Sequence, residues 1–276
     1  MHGFGHGGRL GTGSERTCMT PTLIPDIKVS DVALGYHHTV SLLSSGTIYT
    51  WGRNNHGQLG YVDDEGTRDD FCQLTPREVG GVLKRVQIAG ITASKYHTAV
   101  FSISGNIYTW GRDEGQLGYP VEEKSKVQIY PRKITNFPKQ DLLQISSTNS
   151  STAILTASNE VFVFSEGKYS RVHFQFSGFD KNIFVYRTVQ HRFISKIVSG
   201  NHQYAALTNT GDVYLWTPPE REKYKDSWQQ QNFPQKQPKL AWSGRKDILS
   251  AKDVAIGLES HLLISTADGQ VYFGTR

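Results

Sequence analysis

The sequence predicts an all-β protein and, within that class, a β-propeller. Three observations lead to this prediction. A hairpin-like segment of about twelve residues recurs five times, its copies lie roughly 50 to 60 residues apart, and the composition is rich in turn and strand formers. The 276 residues include 27 glycines, 13 tyrosines and 13 phenylalanines, which is typical of many short strands joined by tight turns.

Each hairpin-like copy is predicted to form two strands around one turn. The same turn position holds glycine in four copies and asparagine in the other, and both residues tolerate the positive φ angle of a two-residue hairpin turn. Residues that are β-branched or aromatic flank the turn, as is usual in strands. The copies span residues 38–49, 97–108, 151–162, 203–214 and 261–272, and their turn residues are Gly46, Gly105, Asn159, Gly211 and Gly269.

Two further strands are predicted in each unit. A proline-led segment begins at Pro21, Pro76 and Pro131, and proline suits the start of an edge strand because it has no amide hydrogen to donate. A unit of four strands with this period indicates a propeller blade, since one sheet cannot cover both its faces whereas blades around an axis cover each other. The other predicted strand is a short apolar segment before each hairpin, at residues 27–35, 86–93, 142–146, 194–200 and 248–257.

A glycine loop follows the hairpin in two copies, and a similar loop opens the chain. The loops read WGRNNHGQLG from Trp51, WGRDEGQLG from Trp110 and FGHGGRLG from Phe4, whereas the segments after Phe164 and Trp216 lack this pattern. Together with the hairpins, the loops resemble the regulator of chromosome condensation repeat over essentially the whole chain. That resemblance implies a seven-bladed propeller.

The domain prediction follows from this repeat count. We expect residues 1–276 to form a single, incomplete propeller domain with about five full repeats and a remnant, because the chain starts and ends inside predicted blades. Within the family, residues 4–18 together with Pro21 and Leu23 are similar to the inhibitor of Bruton tyrosine kinase proteins. In such proteins ankyrin repeats precede the propeller and BTB domains follow it, so we expect this chain to be a fragment of a longer protein.

Composition narrows the function classes. The 30 Lys and Arg residues against 25 Asp and Glu give a net charge of only +5, which makes a nucleic-acid partner unlikely. The absence of any run of about 18 apolar residues predicts no membrane span. With two cysteines, Cys18 and Cys72, there is no disulfide framework, so we expect reduced thiols and a cytoplasmic location, with the nucleus as the alternative.

The residues predict no catalytic, cofactor-binding or metal-binding site. The stretch 3–8 matches a dinucleotide fingerprint, but no helical periodicity follows it, so it is interpreted as a turn. His38, His97 and His261 share one position of the repeat and should therefore lie apart, one to a blade. We expect them to link blade to blade by hydrogen bonds rather than to hold a metal.

A candidate protein-binding segment lies in the predicted insertion at residues 217–244. The insertion is polar and mixed in charge, which is also typical of a flexible surface loop. Within it, Arg221, Tyr224 and Trp228 are the candidate contact residues, because exposed aromatic and arginine side chains are common at interface hot spots.

The function predicted from the sequence is a non-enzymatic scaffold for protein partners, because the repeat specifies the framework while the loops between strands are free to vary. The resemblance implies the more specific role of a substrate adaptor for a cullin-based ubiquitin ligase, with ligase components as partners. The alternative is guanine-nucleotide exchange on a small GTPase, the activity of the founding family member.

Overall fold

The computed structural model describes residues 1–25, 27–64, 71–121, 125–176, 192–218, 237–244, 249–257 and 261–274. In these ranges the regular structure consists of β-strands and two short 3-10 turns, at His6–Gly8 and Gly81–Leu83. The all-β prediction is therefore confirmed. No helix in the described ranges has the length and apolar character needed to cross a bilayer.

The chain divides into two compact units, Met1–Ser158 with Phe162–Ser170, and Asn159–Val161 with Arg171–Arg276. Three antiparallel four-stranded sheets lie wholly or mainly in the first unit, and the strands of each are joined in sequence order. These strands are β1 (Val29–Leu34), β2 (His38–Leu43), β3 (Ile48–Arg53), β4 (Cys72–Glu78), β5 (Ile88–Ala93), β6 (His97–Ser102), β7 (Ile107–Arg112), β8 (Val127–Lys133), β9 (Leu142–Ser147), β10 (Thr152–Thr156), β11 (Val161–Ser165) and β12 (Lys168–Val172).

The second unit contains two sheets of the same kind. One has four strands and the other three within the described residues, again in sequence order. Their strands are β13 (Ile194–Ser199), β14 (Tyr204–Thr208), β15 (Val213–Trp216), β16 (Lys239–Trp242), β17 (Ala251–Ile256), β18 (Leu262–Thr266) and β19 (Val271–Gly274). The strand predicted before each hairpin is present in all five sheets, as β1, β5, β9, β13 and β17.

The hairpin turns confirm the predicted left-handed residues but correct the predicted turn length. Gly46 has φ +81° and Asn159 has φ +63°. The amide of Leu43 bonds to Thr47 O at 2.9 Å, and the amide of Gly46 bonds to Leu43 O at 2.9 Å. The loop therefore has three residues rather than two, because the left-handed glycine follows a β-turn and returns the chain to the ladder.

The prolines correct a second expectation. Pro76 lies inside the outer strand β4 rather than at its start, and Pro131 lies inside β8. The pairing of β3 with β4 shifts register between Thr50 and Gly52, opposite the proline. A bulge on an edge strand accommodates a residue without an amide donor, which explains the position.

The hydrophobic cores lie between successive sheets within each unit. In the first unit, one cluster joins Val40 of β2 to Val100 of β6 and Trp110 of β7, and another joins Phe101 of β6 to Ile154 of β10. Every residue of β6 is buried, as expected of a strand covered on both faces. In the second unit, a cluster formed by β14, β15, β17 and β18 has the same arrangement.

Candidate protein-interaction face

The turns and glycine loops of the first unit emerge at one end of its sheets. Because β2 and β3 are antiparallel, with His38 paired to Gly52, the β1–β2 turn and the loop after β3 leave the same end of the sheet. The second sheet repeats this arrangement, with His97 paired to Gly111. We call this end the loop face; it comprises the N-terminal loop 4–11, the turns 35–37 and 94–96, and the loops 54–60 and 113–118.

Side-chain bonds to the backbone hold the glycine loop of residues 54–60 in one shape. The side-chain Nδ2 of Asn54 donates to Tyr61 O at 2.7 Å, and its side-chain Oδ1 accepts a hydrogen bond from the backbone amide of Leu59 at 2.8 Å. The Gln58 side chain accepts the amide of His56 at 2.8 Å. All these hydrogen bonds are local, so the Asn and Gln side chains of the motif satisfy the backbone groups of the loop within the loop itself.

Two of the glycine loops are each bonded to the next sheet through one backbone carbonyl. Gln58 O accepts the hydroxyl of Thr98 at 2.8 Å and the indole N–H of Trp110 at 3.0 Å. The N-terminal loop makes the same pair of contacts: Arg9 O accepts Thr39 at 2.9 Å and Trp51 at 3.0 Å. The tryptophan of the repeat therefore fixes the position of the preceding loop.

Replacing Gly60 with alanine is expected to lower the free energy of unfolding by about 2–3 kcal/mol. Gly60 has φ +88°, and a Cβ there would lie 3.0 Å from Trp110 Nε1 and 3.1 Å from Val79 Cγ1. Gly81 is the matched control, because it has φ +62° but nothing within 4 Å of its Cβ position. Gly81→Ala should cost only about 1 kcal/mol, the backbone strain alone. Equal losses in urea titrations of the two variants would contradict the close approach of the loop to Trp110.

Two of the three repeated histidines link neighbouring sheets, as the sequence predicts. His38 Nε2 lies 2.8 Å from Thr98 Oγ1, and His97 Nε2 lies 3.1 Å from Thr152 Oγ1. Burial lowers the pKa of each imidazole to about 3. Both rings are therefore neutral at pH 7. The third repeated histidine, His261, is half-buried, and its ring centroid lies 5.2 Å from that of Phe273 in its own sheet, so a link from His261 stays a prediction.

Cations and aromatic rings line the loop face above these buried bonds. Lys95 Nζ lies 4.8 Å from the ring centroid of Tyr96 and 5.8 Å from that of Tyr36. Arg112 Cζ lies 5.4 Å from the Tyr96 ring, and its Nε forms an ion pair with Glu114 at 2.7 Å. Sequence reasoning missed this cluster, although the arginine after Trp-Gly in two repeats was a visible signal.

Arg221, Tyr224 and Trp228, the contact residues predicted from the sequence, lie outside the described residues and stay a prediction. Of the insertion predicted at 217–244, the described end includes β16, which pairs with β15, so the candidate loop ends before Lys239.

The described residues contain no group of three or more His, Cys, Asp or Glu side chains that could hold a metal ion. The fingerprint-like stretch 3–8 ends in a short 3-10 turn at His6–Gly8, and a side chain at Gly5 would collide with the carbonyl of Arg16. Cys18 and Cys72 are both free thiols.

The repeats of this chain match the model of a known family. The model described as the regulator of chromosome condensation (RCC1) repeat matches residues 1–42, 45–101 and 104–155, more than half of the chain. The chain belongs to this repeat family. A second model of the same description matches residues 29–58 of this repeat protein.

Curated relatives of this repeat protein are much longer than the chain. BTB/POZ domain-containing protein 1 of Schizosaccharomyces pombe is 28% identical over 97% of the chain, which covers 20% of that relative. The inhibitor of Bruton tyrosine kinase of Xenopus laevis is 25% identical over 99% of the chain and 20% of the relative. Human E3 ubiquitin-protein ligase HERC2 is 29% identical over 78% of the chain and 4% of the relative. The chain thus spans a fifth or less of each of these three proteins.

Solved structures show the fold of the repeats. Prp20p of Saccharomyces cerevisiae superposes with a TM-score of 0.70 at 19% identity, covering 99% of this chain and 64% of Prp20p. Human WBSCR16 gives a TM-score of 0.66 at 20% identity, covering 92% and 61%. The predicted β-propeller of the regulator-of-chromosome-condensation type is confirmed, and the five described sheets are fewer than the seven blades that the resemblance implies.

Proposed function

We propose that this repeat protein is a non-enzymatic scaffold that binds protein partners, and that it serves in a substrate adaptor of a cullin-based ubiquitin ligase. The observation that carries the proposal is the loop face, on which the backbone carbonyls Arg9 O and Gln58 O hydrogen-bond two of the loops to the neighbouring sheet. A preformed surface of this kind can bind a partner with little ordering cost. Its accessible chemistry is cationic and aromatic, which suits recognition.

One serine–histidine contact bears on the choice between scaffold and enzyme. Ser94 Oγ lies 2.6 Å from His97 Nδ1, the spacing of a nucleophile and its base. Both residues are buried, and burial lowers the pKa of His97 to about 3, far below the value of an effective general base at neutral pH. The pair therefore supports a structural role.

The adaptor role draws its support from the relatives. Two of them carry BTB/POZ and ubiquitin-protein ligase in their names. Since the chain covers 20% or less of these proteins, their partners are carried over only as a proposal. The cytoplasm, with the nucleus as the alternative, is the location that we propose.

The test is affinity purification of the full-length natural protein followed by quantitative mass spectrometry. We expect a cullin to be enriched over a purification from cells that express the tag alone. Enrichment of other proteins without any cullin would overturn the adaptor role and retain the scaffold. Recovery of the bait alone, also after cross-linking, would overturn both.

Guanine-nucleotide exchange is the alternative, favoured by the similarity in fold to Prp20p, whose structure is described together with its binding to Gsp1p and histones. At 19% identity the similarity carries the fold and not the activity. We expect no faster release of fluorescent GDP from a panel of small GTPases. Release above the intrinsic rate for any one of them would establish the alternative.

A further inference from the structure

The strongest unassigned feature of the molecule is a charged surface on the loop face of the first unit. It comprises four cations and two aromatic rings from the N-terminal loop and the first two sheets. We call it the basic patch, and its members are Arg9, Tyr36, Arg53, Lys95, Tyr96 and Arg112.

The cations of the patch lie close enough together to lower the pKa values of the neighbouring histidines His37 and His56. The pKa of His37 is lowered to about 4, first by burial and then by the charges of Arg9, Arg53, His6 and Lys95, in that order. The pKa of His56 is also lowered, first by burial and then by Arg112, with Glu114 acting in the opposite direction. The two imidazoles are therefore uncharged at pH 7, and the positive charge of the patch comes from Lys and Arg.

Carboxylates neutralise only part of this charge. Glu114 forms an ion pair with Arg112. Glu15 accepts the amide of Gly7 at 2.8 Å and lies 3.6 Å from His6. Within the described residues, Lys95 has no carboxylate partner and only aromatic rings beside it.

Arg53 and Arg9 make no ion pair in the described residues either. Arg53 contacts the His6 ring at 3.2 Å. Arg9 donates to the carbonyls of His6 and Tyr36. Neighbouring cations without counter-charges create a positive surface potential, which attracts an anionic partner.

The third repeat shows that the fold does not require these cations. At the position of Arg112 it has Glu166, and at the positions of Lys95 and Tyr96 it has Asn149 and Ser150. The third sheet nevertheless forms all four strands. The basic patch is therefore a local feature of the N-terminal loop and two sheets, and stability alone does not account for it.

We propose that the basic patch binds a short acidic segment of a protein partner, whose Asp or Glu side chains pair with Lys95 and Arg53. Tyr36 is 45% exposed and lies beside Lys95, so it can pack against the aliphatic part of such a segment. This inference rests on the proposed scaffold function and names the chemistry of its partner. Lysine and arginine beside aromatic rings provide both the charge and the apolar contact that such recognition uses.

A nucleic acid fits the patch less well than an acidic peptide. The patch spans only the N-terminal loop and two sheets, and Glu15 and Glu114 lie beside its members, where they would repel a continuous phosphate backbone. Nucleic-acid binding also depends on many phosphate contacts, whereas the net charge of the chain is only +5. Separate acidic side chains can avoid the two carboxylates.

The experiment uses fluorescence anisotropy with three labelled probes at low salt. The probes are a peptide of alternating Asp and Glu, a peptide of the same length of alternating Gly and Ser, and a DNA duplex. We expect saturable binding of the acidic peptide alone, weakening as salt rises. Lys95→Glu should weaken this binding about tenfold or more, since like charges then face each other.

Lys133→Glu is the matched control, because Lys133 is exposed on the outer strand β8 and the substitution changes the net charge equally. It should change the affinity less than about twofold, and Lys95→Gln should fall between Lys95→Glu and the unaltered protein. Equal losses in Lys95→Glu and Lys133→Glu, tighter binding of the DNA, or no saturable binding of the acidic peptide would each overturn the proposal. If the peptide experiment overturns the acidic-partner inference, a cullin that still co-purifies with the full-length protein leaves the adaptor role standing.

Discussion

A Trp110→Ala variant is expected to lose about 3–5 kcal/mol of unfolding free energy, one of the two largest effects that we predict for this molecule. The Trp110 side chain is fully buried between the first two sheets, in the cluster with Val40 and Val100. Its removal leaves a cavity in the core and also deprives Gln58 O of the indole donor. Urea titration followed by far-ultraviolet circular dichroism measures the loss without relying on tryptophan fluorescence.

Two companion variants separate the causes. Trp110→Phe keeps an aromatic ring but removes the hydrogen bond and part of the buried ring volume, so it should cost about 2 kcal/mol, less than the alanine variant. The third repeat already carries Phe164 at this position, fully buried. Tyr130→Ala on β8 removes an aromatic side chain that is 54% exposed, and it should change stability by about 0.5 kcal/mol or less. If Trp110→Ala were no worse than Tyr130→Ala, the indole would not be holding the two sheets together.

The repeat made most of the fold predictable. Equivalent residues in five copies fixed the hairpins, and the left-handed turn residues Gly46 and Asn159 lie where the alignment of the copies puts them. Turn length was predicted wrongly, because a glycine at the turn does not tell whether it stands second or third in the loop. Pro76 was predicted at a strand start but lies inside β4. Proline lacks an amide hydrogen, which is tolerated both at the start of an edge strand and at a bulge, so the residue alone does not distinguish the two positions.

The candidate site was predictable only where it follows the repeat. The contact between His38 and Thr98 recurs one repeat later between His97 and Thr152, so the period of the sequence predicts which residues meet. The basic patch has no such signature, because Lys95 reaches Tyr36 only once two sheets are packed together. Proximity of this kind depends on side-chain directions across an interface between sheets, which periodicity does not contain.

Acidification is expected to destabilise the first unit through His38 and His97. In the unfolded chain both imidazoles protonate near pH 6.5, whereas burial holds the pKa of each at about 3 in the folded protein. Between these values the unfolded state binds more protons. Above pH 6.5 the two histidines therefore do not lower the free energy of unfolding. As the pH decreases from 6.5 toward 3, that free energy falls by about 1.4 kcal/mol per pH unit for each histidine.

The hydrogen bonds explain why the folded protein resists protonation. The hydroxyl of Thr98 donates its hydrogen to Gln58 O. Thr98 Oγ1 therefore accepts a hydrogen bond from the N–H group at His38 Nε2. His38 Nδ1 then carries a buried lone pair with no hydrogen-bond partner in the described structure. A second proton there would create a charge that no described carboxylate neutralises, at the full desolvation cost.

Unfolding free energies measured from pH 7.5 to 4.5 test this linkage. His97→Gln should reduce the slope by about 1.4 kcal/mol per pH unit, and Gln203 shows that the repeat accepts glutamine at this position. The exposed His202→Gln should leave the slope unchanged. An undiminished slope in His97→Gln would mean that His97 already carries its proton in the folded protein, and the neutral hydrogen-bonded pairing between sheets would then be wrong.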